Sequence, residues 1–118
     1  MRNDLLYVGD IIEAIERIER YTTPDLGAIE HDKPSRSLVL RYLQIVGEAA
    51  RSLSATLNGA HPEVPWRDIG RFRNRLVHQY FDIDLPVVRH IVAVEVPELK
   101  RQILPILEEL RRAHPEHQ

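Results

Sequence analysis

The eight consecutive residues Arg73-Asn74-Arg75-Leu76-Val77-His78-Gln79-Tyr80 hold the densest set of chemically useful side chains in the chain. Arg73 and His78 are separated by four residues, and Tyr80 follows two positions later. Histidine titrates close to neutrality and can take or give a proton. Acid–base work of that kind is worth ~10²–10⁴ in rate. Arginine is permanently charged, and its planar fork matches phosphate oxygens, so it can hold a phosphodiester and stabilise developing charge. Together they suit RNA cleavage by attack of a 2′-hydroxyl on the adjacent phosphate. The nucleophile then belongs to the substrate, no metal or cofactor is required, and DNA, lacking that hydroxyl, is excluded. Arg73 and His78 are the catalytic candidates.

The surrounding charge favours the same polyanion. Arg67, Arg71, Arg73 and Arg75 are opposed only by Asp68, although the whole chain carries a net charge of −2. That balance argues against a protein that coats nucleic acid nonspecifically and for one local patch. Arg71 and Arg75 are expected to guide RNA. Asn74 lies one helical turn before His78 and is expected to orient either that ring or the phosphate. Glu48 is a second supporting candidate for Arg73 or His78; a surface pairing with Arg51 is its alternative. Tyr80 continues the apolar series Ile69, Phe72, Leu76, so spacing alone reads it as a packing residue. Trp66 and Tyr42 likewise read as packing residues rather than stacking platforms. His31, His61, His90, His114 and His117 show no metal-ligand spacing, and no metal is expected.

Helical geometry restricts how the two catalytic candidates can meet. At about 100° per residue, Arg73 and His78 lie about 140° apart on a straight helix. Arg67, Arg71, Asn74, Arg75 and His78 would form one polar stripe, with Arg73 off to the side. Either the helix ends near His78 or a second copy of the chain completes the cleft.

The elements that must carry these residues are helices. Leu5, Val8, Ile11, Ile12, Ile15 and Ile18 recur at helical spacing after Asn3, an N-cap, and Asp4. Pro24 stops that pattern. Asp32 caps a second helix with Pro34 in its first turn. Its stripe is Leu38, Val39, Tyr42, Ile45, Val46, Ala49, Ala50 and Leu53, and Asn58-Gly59 is its expected stop. Gly47 inside it costs about 1 kcal/mol relative to alanine and implies a close helix–helix approach. A third helix begins near Trp66 on Ile69, Phe72 and Leu76. A fourth starts at the Asp84 cap, must kink or restart at Pro97, and runs through Pro105 on Leu99, Ile103, Ile106 and Leu107. The expectation is an all-α, up-down bundle of four main helices with short or kinked segments.

The 118 residues, 43% hydrophobic and 29% charged, fit one domain over 1–113 with a frayed tail at 114–118. The chain contains no cysteine, which excludes disulfides, thiolate zinc sites and cysteine nucleophiles. No apolar run reaches membrane-span length, and the N-terminus acquires acids too early for a secretory signal, so a cytoplasmic protein is expected.

These residues resemble the HEPN superfamily, whose ribonucleases carry R-x4-6-H, and more closely its HepT toxin branch, with R-x4-H-x-Y matched by Arg73, His78 and Tyr80. The similarity also takes in DIIEAIERIE, IVGEAARSL, HPEVPWRDI and RNRLVHQYFDID. It implies a HEPN helical bundle, a homodimer with both motifs facing a shared cleft, and a metal-independent ribonuclease acting as a toxin. It further implies an antitoxin of the MntA nucleotidyltransferase type that adds AMP to the tyrosine, here Tyr80. Gln79 departs from the small residue usual between histidine and tyrosine, which bears on access and substrate preference. The competing reading is a non-catalytic helical module that binds RNA or nucleotide and partners a nucleotidyltransferase, or forms the substrate-binding half of a split one.

Overall fold

The computed structural model describes residues 2–76 and 82–115. His78, Gln79 and Tyr80, and His117 in the tail, lie outside the described residues. Three long helical rods carry the core: α1 (Arg2–Thr22), α3 (Lys33–Ser52) and a C-terminal rod. The last consists of α7 (Leu85–His90), a π-helical turn (Ile91–Glu95) and α8 (Val96–Ala113). Short helices α2 (Ala28–His31), α4 (Ala55–Ala60), α5 (Trp66–Gly70) and α6 (Phe72–Leu76) fill the connections.

The rods pair through the apolar stripes visible in the sequence. Val8, Ile11, Ile15 and Ile18 of α1 are wholly buried, as are Leu43 and Val46 of α3 and Ile103 of α8. Burial of each such side chain stabilises by about 1.5–3 kcal/mol, before the entropy of ordering it. Asp4 in the first turn of α1 meets Ser54, just beyond α3, so those two rods run antiparallel. Glu19, near the end of α1, meets Lys100, early in α8 (Oε1–Nζ 2.9 Å), so α8 is antiparallel to α1 as well. The described architecture is the all-α bundle expected from periodicity. Among the described residues, no helix is long and apolar enough to cross a membrane.

Two expected helices are broken. The second does not run on to Asn58-Gly59: it ends at Ser52, and Leu53 and Ser54 are extended. Ser54 then caps α4, its hydroxyl accepting from Leu57 N–H at 3.1 Å. The same hydroxyl donates to Asp4 Oδ2 at 2.6 Å, and Ser54 N–H donates to Asp4 Oδ1 at 2.9 Å. Asp4 is only 3% exposed, so it latches the corner between rods besides complementing the α1 dipole. The third helix is broken at Arg71, which separates α5 from α6. At Pro97, the expected kink takes the form of the π turn, in which Val96 N–H reaches back to Ile91 O. The wider turn accommodates a ring that would otherwise crowd the carbonyl four residues back. Asp84 caps α7 as expected, accepting from Val87 N–H at 3.2 Å.

Candidate active site

Arg73 stands on α6, a helix too short to hold itself in place. Its position is set by what surrounds it. Phe72 and Leu76, four apart on one face, are each 1% exposed and anchor α6 in the core. The chain leaves at Leu76, whose carbonyl accepts from Asp84 N–H at 2.9 Å. That bond ties together the ends of the interval that contains His78 and Tyr80.

Upstream, α5 is seated on α3 through two glycines. A Cβ on Gly47 would lie 3.1 Å from the Ile69 carbonyl oxygen and 3.8 Å from Phe72 Cβ. This is the close approach that a glycine inside a helix implied. A Cβ on Gly70 would lie 2.9 Å from Arg51 Cγ. Arg51, one turn after Gly47, lays its stem across Gly70 and donates to the Gly70 carbonyl. The HPEVPWRDI segment closes on itself: Trp66 Nε1–H donates to His61 O at 2.9 Å, and buried Val64 plugs the turn. Gln102 Nε2 of α8 ties down Glu63 O at 3.1 Å.

The break at Arg71 separates the arginines that a continuous helix would have aligned. Arg67 and Arg71 are exposed and line a cavity of about 390 Å³ with Arg51, Asn58 and Trp66. Arg75 goes elsewhere. Its guanidinium makes a bidentate pair with Glu95, Nη1–Oε1 2.7 Å and Nη2–Oε2 2.6 Å, and lies 5.9 Å above the Phe72 ring. The Glu95 hydrogen bonds raise the Arg75 pKa and lower that of Glu95, with burial opposing both shifts. His90 Nε2 is 3.4 Å from the same carboxylate. The single polar stripe expected from Arg67 to His78 is therefore split. Arg75, read from the sequence as an RNA guide, clamps α6 to the π turn.

Arg73 and Asn74 are both exposed. Among the described residues Arg73 has no ion-pair partner. Glu48 is exposed on α3, and no ion pair joins it to Arg51 or Arg73 among the described residues. Sequence reasoning missed Glu95, twenty residues from its partner on a different helix. A carboxylate beside Pro97 at a forced irregularity was the only available signal.

A family model described as "Ribonuclease HepT-like" matches residues 11–106. A "Probable ribonuclease HepT" from Thermococcus cleftensis is 39% identical over 95 residues, covering 80% of this chain and 86% of that protein. A "Putative RNase" from Caldanaerobacter subterraneus is 32% identical over 94 residues, covering 80% and 81%. A "Gamma-glutamylcyclotransferase and putative RNase" from Methanocaldococcus jannaschii is 35% identical over 115 residues. This chain is 93% covered in that match but spans only half of the longer protein. No solved structure matches the chain.

Proposed function

The chain belongs to the HepT-like ribonuclease family, and from that premise we propose that it is a toxin that cleaves RNA through Arg73 and His78. The carrying observation is the exposure of Arg73, without an ion-pair partner among the described residues, on a helix whose next arginine is neutralised by Glu95. An arginine so presented can take a phosphate fork-on. His78, as base, removes the 2′-hydroxyl proton as that oxygen bonds to phosphorus. The 5′-oxygen of the following nucleotide leaves with a proton returned by the imidazolium of His78, either in the same copy or across a homodimer. The products are a 2′,3′-cyclic phosphate and a 5′-hydroxyl, and no metal takes part.

Asn74 is assigned to orienting the phosphate or the imidazole, Arg71 to guiding the strand, and Glu48 to supporting Arg73 or His78. Control is assigned to Tyr80. A nucleotidyltransferase antitoxin of the MntA type would join the tyrosine oxygen to the α-phosphorus of ATP, with pyrophosphate leaving. The added adenylate is an anion beside the cations that hold RNA, and it competes with substrate for them.

Expression in a bacterial host tests the reading. Wild type arrests growth, whereas Arg73→Ala and His78→Ala do not. Coexpression with such a nucleotidyltransferase restores growth and adds AMP mass at residue 80, absent from Tyr80→Phe. Equal growth arrest by wild type and His78→Ala would overturn it.

A further inference from the structure

The cavity between the end of α3, α4 and α5 has a composition that neither the catalytic pair nor the core explains. It is walled by Arg51, Asn58, Trp66, Arg67 and Arg71, and its volume of about 390 Å³ lies within the range of about 300–1,000 Å³ usual for small-molecule pockets. Arg67 and Arg71 are exposed and have no ion-pair partner among the described residues. Asp68, the acid between them in sequence, lines the groove on the other side of α5. Trp66 is oriented by its bond to His61 O. With its only polar hydrogen engaged, the indole offers the cavity apolar π surface. Asn58 also lines the cavity.

Cations for phosphate and an indole for stacking make up the recognition set for single-stranded nucleic acid. We infer that this cavity is a nucleotide subsite, seating one base of the RNA strand against Trp66 with its phosphate on Arg67 and Arg71. The inference rests on the RNA-cleaving reading. Arg71 and Phe72 are adjacent, as are Phe72 and Arg73, so the subsite adjoins the helix that presents the catalytic arginine. A seated base beside the cut fixes the register of the strand. Acidic peptides would satisfy the arginines but leave the indole unused.

Trp66 is the only tryptophan in the chain, so its fluorescence reports this cavity alone. The experiment titrates the full chain with a short 2′-O-methyl oligoribonucleotide, which cannot be cleaved, and with an abasic ribose-phosphate strand of equal length. The expected result is saturable quenching by the first and not by the second, with affinity about tenfold lower for the abasic strand. Arg67→Ala shifts the curve to weaker binding and flattens the log-salt slope by about 0.7. Trp66→Leu, followed by anisotropy of a labelled strand, weakens binding about tenfold, and Trp66→Phe recovers part of it. Equal binding of both strands, or no change of Trp66 emission on saturation, would overturn the subsite. RNA cleavage measured in parallel separates the two ideas. Quenching without cleavage retains the subsite and rejects the ribonuclease mechanism, whereas cleavage without quenching does the reverse.

Discussion

One short helix, α5, separates two surfaces of opposite character. On one side Arg51, Arg67 and Arg71 surround Trp66 in a cavity with no carboxylate in its lining. On the other, Glu63, Asp68, Glu95 and Glu98 rim a groove of about 290 Å³ floored by Ile69, Phe72, Val94 and Leu99. Arg67 and Asp68 are sequence neighbours that line different surfaces, being about 100° apart on the helix. Among the described residues the arginines of the basic side have no carboxylate ion partner, while two carboxylates of the acidic side have cationic ones: Glu95 with Arg75 and Glu98 with Arg101. Pairing on one side and its absence on the other indicate which surface has a task besides stability. Open arginines left against one another are tolerated only at some electrostatic cost, which a bound polyanion would relieve.

Charge reversal on the two sides tests this contrast most strongly. Arg67→Glu with Arg71→Glu is expected to weaken RNA binding about 10²-fold at moderate salt, whereas Asp68→Lys, on the same helix, changes it less than about threefold. Equal losses from both would show that α5 has no binding side. The next effect concerns the seat of α5. Gly47→Ala gains about 1 kcal/mol of helix propensity but drives a methyl to 3.1 Å from a backbone oxygen. Because backbone cannot swing aside as a side chain can, a net loss of about 1–2 kcal/mol in denaturant unfolding is expected, with weaker RNA binding. A more stable Gly47→Ala would mean that α5 rides loosely on α3.

A smaller change is expected at the clamp on the acidic side. Glu95→Gln should cost about 1 kcal/mol, since the Arg75–Glu95 pair is only partly shielded from water. Arg75 lowers the Glu95 pKa below its ordinary value of 4.5. The unfolded chain therefore binds the proton more readily than the native one. The pair's contribution is complete above pH 4.5 and disappears as pH falls through the lowered native pKa. Wild type and Glu95→Gln should differ in stability at neutral pH and converge once the pH has fallen below the lowered native pKa of Glu95. A difference that persists in acid would assign the effect to packing instead.

How much of this was legible in the sequence depends on the range of the interaction concerned. The α1 stripe, the Asp84 cap and the close approach at Gly47 follow from residues within one turn of each other, and all three are present. The break at Leu53–Ser54 was hidden because the apolar stripe reaches Leu53 and Asn58-Gly59 offers a plausible later stop. What ends the helix is Asp4, fifty residues away, drawing Ser54 N–H out of the ladder. Arg71 was concealed similarly, since Ile69 and Phe72 keep helical spacing across the break. Of the candidate site, the exposed presentation of Arg73 fits the reading from residue type and spacing. The commitment of Arg75 to Glu95 was not readable, because a contact between helices leaves no local pattern. Trp66 read as a packing residue because only the fold shows which arginines stand beside it.

The central claim is that cleavage needs the His78 imidazole and the Arg73 guanidinium but no metal. The direct measurement is cleavage of a defined single-stranded RNA by purified protein in excess EDTA, with the product ends identified by mass spectrometry. Wild type is expected to leave 2′,3′-cyclic phosphate ends, with a rate about 10²–10⁴ above that of His78→Ala and a comparable loss in Arg73→Ala. Cleavage at an undiminished rate in His78→Ala, or 5′-phosphate ends from the wild type, would contradict it.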